Sequence, residues 1–174
     1  RPNDGRVERV LDIGCSIGQG TTALKRLLPQ AAVTGIDAGA QMLRYAHLRA
    51  VELGIDVDFR QRLAEDTKFP DGHFDMVQSV ILFHEVPFEF TRLIVREMFR
   101  VLRPGGQFNI FDFPAGDQIP AALQYFLDVD HQYNGEPWSP QFIFADFTRE
   151  LQSVGFEVER GPVAQRYLRS WFCR

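Results

Sequence analysis

A few acids and one histidine stand out by type and position. Asp12 closes an apolar run and leads straight into Ile13-Gly14-Cys15-Ser16-Ile17-Gly18-Gln19-Gly20, a turn of small residues. Glycine has no Cβ and enters φ > 0 freely, so such a turn lets backbone approach a ligand. The helical pattern that follows aims unpaired N–H groups at the same place. This much indicates a nucleotide-like ligand above a strand-to-helix junction. Asp37 ends a second apolar run, Glu65 and Asp66 sit in a loop, and His84 and Asp112 follow two further runs. Histidine titrates near neutral pH, so His84 is a candidate general base, with Glu85, Asp112 and His131 as further candidates. No His, Cys and carboxylate spacing suggests a structural metal.

Periodicity supplies the elements that must hold these residues. Residues 7–13 read as a strand buried on both faces, and a helix follows with Ala23, Leu24, Leu27 and Leu28 on one side. A second strand over 31–36 precedes a helix with Met42, Ala46, Ala50 and Leu53 on one face, stopped by Gly54. Residues 55–62 and 74–82 are strands three and four, separated by a loop. A helix from Pro87 carries the stripe Phe90, Leu93, Ile94, Met98, Val101 and Leu102, and Pro104-Gly105-Gly106 ends it. Strand five spans 107–113. After an irregular stretch, Ser139-Pro140 opens a helix with Phe144, Phe147, Leu151 and Val154 on one face. Residues 156–159 and 163–172, separated by Gly161-Pro162, form a hairpin. The alternation predicts an α/β fold: a Rossmann-like three-layer sandwich whose mostly parallel seven-stranded sheet ends in an antiparallel hairpin. In such sheets ligands sit beyond the strand carboxyl ends, where Asp12, Asp37, residues 63–66, residues 79–84 and Asp112 all fall.

The 174 residues make one domain, and the net charge of −4 disfavours nucleic acid as a partner. No run is long enough to span a bilayer, and there is no signal-peptide pattern. Cys15 and Cys173 lie too far apart in sequence to suggest a disulfide framework, which points to a reducing, cytoplasmic setting. The chain starts at Arg1, and is expected to be a trimmed piece of a longer protein.

Four stretches resemble the class I S-adenosylmethionine-dependent methyltransferases of the small-molecule branch. Val10 through Gly18 is similar to that family's glycine-rich first motif, and Val33-Thr34-Gly35-Ile36-Asp37 to its acidic second-strand end. Ala64-Glu65-Asp66 through Phe69-Pro70-Asp71-Gly72-His73-Phe74-Asp75 is similar to its adenine loop and fourth-strand entry, and Arg100 through Gly106 to its fifth-strand entry. The resemblance implies S-adenosyl-L-methionine as cofactor, S-adenosyl-L-homocysteine as product, and methyl transfer to an O, N or C nucleophile of a small, partly apolar molecule. It implies that Asp37 accepts the ribose hydroxyls and that Asp12 helps hold the methionine ammonium. Gly14, Cys15, Ser16 and Gly18 would bring backbone to the cofactor. Ala38, Met42, Ala64 and Glu65 would surround the ribose and adenine, and Ser79 the methyl-donor end, with His84 at the substrate mouth.

Two departures and one gap accompany the resemblance. Ser16 stands where the family has its middle glycine, and φ > 0 there costs a non-glycine residue about 1–2 kcal/mol. Leu63 replaces an acid that often precedes Ala64. The family's N-terminal covering helix has no counterpart, which would leave the site open. Residues 114–147 are expected to be an insertion within the domain; aromatics such as Tyr125, Tyr133, Trp138 and Phe142 make it either a substrate lid or a satellite core. A homodimer and a place in a longer chain both stay open. The competing readings are an NAD(P)-dependent oxidoreductase, against which Ser16 and Asp12 count, and a non-catalytic module that keeps the fold.

Overall fold

The computed structural model describes residues 6–113, 122, 125, 126, 129, 133–164 and 168–174. Seven strands form one sheet: β1 (Arg9–Ile13), β2 (Ala32–Asp37), β3 (Asp58–Gln61), β4 (Phe74–Val80), β5 (Leu102–Asp112), β6 (Val158–Ala164) and β7 (Leu168–Cys173). Their order is β3-β2-β1-β4-β5-β7-β6. The first five strands are parallel, and β7 runs antiparallel to both β5 and β6. This is the Rossmann-like sandwich with an antiparallel end. The strand order reverses between β1 and β4, and that switch point opens a crevice at the carboxyl ends of the strands.

Helices α1 (Gln19–Leu27), α2 (Ala40–Glu52) and α3 (Phe88–Val101) link the parallel strands. Two short helices, α4 (Ser139–Phe144) and α5 (Phe147–Val154), precede β6. Side chains alternate across a strand, so neighbouring residues serve opposite layers. On β1, Leu11 and Ile13 join Ile94, Met98, Phe108, Phe147 and Trp171 in the larger core. Val10 joins Leu24, Val33 and Met76 in the smaller one, against α1. Both layers depend on β1, and the glycine turn follows directly from its last residue.

The structure differs from the sequence reading at four places, each with a local cause. The helix expected across 139–154 is two helices, because Asp146 accepts the N–H of Arg149 at 3.0 Å and starts α5 afresh. Phe144 is therefore exposed instead of lying in the stripe, while Phe142 enters the larger core. Gly161-Pro162 does not separate two strands; it lies within β6, at a register shift between Arg160 and Val163. The 104–106 turn is absorbed into β5, whose pairing with β4 slips between Phe74 and Met76. On α2 the inward residues are Leu43, Ala46 and Ala50, and Met42 is exposed at the first turn.

Candidate functional site

The crevice above the switch point is a cleft of about 340 Å³. Its floor begins at Gly14, which follows β1 with φ of 64°. A Cβ at this position would lie 2.9 Å from Leu82 Cδ1, the end of a side chain that can shift, so it is chiefly the backbone angle that calls for glycine. Ser16 follows with φ of 47°, the left-handed conformation that the replaced glycine would adopt without strain. Gly18, with φ of 76°, starts α1. A Cβ there would come within 2.6 Å of Phe59 Cζ. This glycine is needed for packing the turn onto β3 and does not line the cleft.

Asp37 stands at the end of β2 on the same cleft. Its Oδ2 accepts the Ser16 N–H at 2.8 Å and its Oδ1 the Gly39 N–H at 2.7 Å. The glycine turn and the start of α2 thus hold one carboxylate between them, aimed by two backbone donors. A carboxylate has about four lone-pair sites, so acceptor capacity remains on both oxygens. Ala38, Ala64 and Glu65 complete this side of the cleft, with Arg62 and Leu63 between them. Arg62 also lies 5.6 Å over the Phe69 ring.

The opposite wall is apolar: Leu82, Val86, Pro87, Phe90 and Ile94, with Glu85 as its one acid. It follows β4 through a chain bend at Ile81, whose φ of 55° is a conformation β-branched residues rarely adopt. Beneath it lies a buried pair. His84 Nδ1 is 2.7 Å from Asp112 Oδ1, and His84 is 2% exposed. Asp112 also accepts the N–H groups of Leu82, Phe83 and Phe113 at 2.8–3.0 Å. Burial alone would lower the His84 pKa, but the bond to Asp112 and the nearby carboxylates outweigh it and raise the value. Burial raises the pKa of Glu85 as well.

Of the residues singled out from sequence, the cleft brings together Gly14, Asp37, Ala38, Ala64 and Glu65, with Ser16 joined through its N–H. Asp12, Cys15, Gly18, Met42, Ser79 and His84 do not line it. Asp12 lies under the turn, 3% exposed, where its Oδ2 accepts the Thr21 hydroxyl at 2.7 Å. Desolvation lifts its pKa to about 6, against the opposing bonds from Thr21 and Gln78. Cys15 is buried, and burial together with the Asp12 and Asp37 charges pushes its thiol up to about 12, which suppresses thiolate reactivity. Ser79 is fully buried at the β4 end, its Oγ without a hydrogen-bond partner among the described residues. His131 lies outside the described residues, as does much of 114–132. Sequence reasoning missed the Asp12–Thr21 and His84–Asp112 pairings, the apolar wall over 82–94 and the Arg62 side chain. Only the wall had a signal, the helix-starting Pro87 two residues after Glu85.

A profile of the family described as "Methyltransferase domain" matches residues 10–106. The chain is 31% identical over 164 residues to a fatty-acid O-methyltransferase of Mycolicibacterium smegmatis, covering 94% of this chain and 58% of the relative. It is 37% identical over 166 residues to a ubiquinone biosynthesis O-methyltransferase of Klebsiella pneumoniae, covering 94% and 59%. The chain therefore spans less than two thirds of the length of these two curated relatives. Among solved structures, an S-adenosylmethionine-dependent methyltransferase of Aquifex aeolicus superposes with a TM-score of 0.72 at 20% identity, over 95% of this chain and 81% of that one.

Proposed function

Because the chain belongs to the class I S-adenosylmethionine-dependent methyltransferases, we propose that its cleft binds S-adenosylmethionine and that it methylates an O, N or C nucleophile of a small, partly apolar molecule. The observation that carries this reading is the Asp37 carboxylate held beside Gly14 on the cleft by the Ser16 and Gly39 amides. The residues present fit the cofactor. Gly14 puts left-handed backbone without a side chain on the cleft floor, Asp37 offers a charged acceptor for a vicinal diol, and Ala38 and Ala64 are small residues beside it. The bound cofactor supplies a methyl group on a sulfonium, already activated for displacement.

The chain's own residues then bind and align. Asp37 takes the two ribose hydroxyls, each bond to a charged acceptor contributing about 1.5–3 kcal/mol. Gly14 and Ser16 carry the backbone beside Asp37, and Ala38, Ala64 and Glu65 border the adenine, while Cys15, Gly18 and Met42 support these segments from outside the cleft. Asp12 acts from beneath the turn by fixing Thr21 at the start of α1. Ser79 backs the methyl-donor end, and the wall from Leu82 to Ile94 receives the acceptor. Orientation of the two reactants supplies about 7–11 kcal/mol of the barrier, which is the protein's main contribution to this chemistry.

An acceptor with apolar character suits the wall of Leu82, Val86, Phe90 and Ile94. It also agrees with relatives named for fatty-acid and ubiquinone-biosynthesis substrates. We treat residues 1–174 as one methyltransferase domain; the substrate-lid reading of 114–147 falls largely on residues outside those described. The free, buried Cys15 and Cys173 suit a reducing cytoplasmic compartment. No helix among the described residues is long and apolar enough to cross a membrane.

Calorimetric titration with S-adenosylhomocysteine, run beside NADPH, tests the cofactor. Binding of the first alone is expected; binding of NADPH alone overturns the reading. Transfer of labelled methyl groups to a panel of fatty acids, phenols and amines then tests the reaction. Cofactor binding without any transfer would favour a non-catalytic module.

A further inference from the structure

We propose that His84, Glu85 and Glu136 form a site for a first-row divalent cation, Mn²⁺ or Zn²⁺, at the acceptor side of the cleft. The three residues come from two separate segments, and one ligand atom from each falls in a group whose members all lie within 4.8 Å of one another. His84 Nε2 faces Glu85 Oε1 at 3.9 Å and Glu136 Oε2 at 4.0 Å. These separations are too long for hydrogen bonds. Donors bound to one ion at about 2.1 Å sit roughly 3–4.2 Å apart, depending on the angle between them. The two measured separations fall in that span, so an ion needs only a small inward movement of the carboxylates.

The second observation is the preparation of the histidine. Its side chain is 3% exposed, yet its Nε2 points at the two carboxylates. Asp112 is itself buried, three backbone N–H groups donate to it, and its Oδ1 faces His84 Nδ1 at 2.7 Å. With the Nδ1 proton bonded to Asp112, the lone pair of the neutral ring is on Nε2, directed at the gap. A carboxylate that orients a ligating histidine in this way fixes its tautomer and raises its basicity. Asp112 is a positioning residue and touches no ion itself. Phe113 packs edge-on against the ring, 4.6 Å between centroids, and restricts its rotation.

The mixed donor set selects the ion. One imidazole nitrogen with two carboxylates suits Mn²⁺ or Zn²⁺ better than all-oxygen cations such as Ca²⁺. Three protein ligands leave at least one coordination position open. Glu85 belongs both to this group and to the cleft wall, so an open position borders the acceptor space. An acceptor oxygen placed there would lose its proton more easily, which narrows the acceptor to one offering a hydroxyl or carboxylate oxygen. That last consequence rests on the methyl-transfer reading; binding of the ion does not.

The test is titration of Mn²⁺ into metal-free protein at pH 7.5, followed by loss of the free-ion electron paramagnetic resonance signal, with Zn²⁺ as competitor. One saturable site is expected in the wild type, weakened at least about tenfold in Glu136→Gln and in Glu85→Gln, both at partly exposed positions. Glu136→Gln should bind S-adenosylhomocysteine like the wild type. Absence of saturable binding of either ion, or wild-type affinity in both variants, overturns the site and leaves a protonated histidine between two carboxylates as the explanation of the cluster. Normal Mn²⁺ binding by a protein that does not bind S-adenosylhomocysteine would instead retain the site and remove the cofactor assignment.

Discussion

Asp12 and Asp75 sit on neighbouring strands of one sheet, at opposite ends, and the protein treats them in opposite ways. Asp75, near the start of β4, accepts the N–H groups of Glu8 and Arg9, both at 2.7 Å, and pairs with Arg103 at 2.5 Å. Burial would raise its pKa, but these donors outweigh burial and hold it below the usual carboxylate value. Asp12, at the end of β1, has only the neutral Thr21 and Gln78 as side-chain partners, and its pKa rises to about 6. The lower edge is compensated by charge throughout. Glu97 binds Arg100 and Thr67 there, and Arg100 also reaches Asp71. The upper edge holds Ser16 and Ile81, two of the three non-glycine residues at positive φ among the described residues (the third, Lys68, lies in the loop before β4), together with Asp12 and Asp37, which are held by uncharged donors. Charge pairing is concentrated below and acids held by uncharged donors above, the arrangement expected where a ligand completes the upper edge.

Removing Asp75 should have the largest effect on folding. Asp75→Ala leaves Arg103 and two backbone donors without their acceptor, which costs about 4 kcal/mol. At about 2–4 °C per kcal/mol for a chain of this size, the melting temperature should fall by roughly 10 °C or more. Cofactor affinity measured below that transition should be unchanged. A variant that melts like the wild type would break the division between the two edges.

Asp37→Asn is the converse. It removes the charge from the proposed ribose acceptor but keeps the shape, and should weaken S-adenosylhomocysteine binding by about 30- to 100-fold with little change in melting temperature. Calorimetry on the two proteins decides it, and equal affinity would remove Asp37 from the binding site.

How far these contrasts were legible in the sequence depended on the kind of signal. Asp12, Gly14 and Asp37 were readable because each ends a strand, and strand ends are periodic features. The antiparallel end of the sheet was readable from two short apolar runs, although the Gly161-Pro162 turn signal between them falls inside β6. The Asp12–Thr21 and His84–Asp112 partnerships were not, because they depend on which side chains two elements present to each other, the second across 28 residues of chain. The split between α4 and α5 was hidden for another reason: Phe144 and Phe147 have helical spacing, and only the Asp146 side chain, capping instead of continuing, breaks it. His84 was legible as a titratable group near the mouth, but its burial and its tie to Asp112 were not.

Asp12 and Asp75 should also differ in sign with pH. The native state of Asp12 holds its proton up to about pH 6, whereas the unfolded chain releases it near 3.8. Between these values the native state binds more protons, so this residue's contribution to stability falls as pH rises. The full shift corresponds to roughly 3 kcal/mol against folding at pH 8. Asp12→Asn, which can still accept from Thr21, should recover about 2 kcal/mol at pH 8 and almost nothing at pH 4. Asp75 acts oppositely: its contribution is present above its unfolded pKa and disappears as pH falls through the lowered native value. Melting curves of wild type and Asp12→Asn from pH 4 to 8 measure the first effect, and a gain that is constant across the range would contradict the burial origin of the Asp12 shift.

Ser16 tests the smallest part of the contrast, the backbone strain of the upper edge. Its φ of 47° costs an L-residue about 1–2 kcal/mol, and glycine would remove that cost. Glycine also gives the unfolded chain more freedom, which costs back about 0.5–1 kcal/mol. Ser16→Gly should therefore stabilise by roughly 0.5–1 kcal/mol, a rise of about 2–3 °C. The N–H that Ser16 donates to Asp37 belongs to the backbone and survives the change, so cofactor affinity should hold or improve slightly. A fall in affinity with the same rise in stability would assign the serine side chain a role in the site. A fall in both would mean that the left-handed turn is held by contacts of the serine itself, and that the upper edge is less strained than its backbone angles imply.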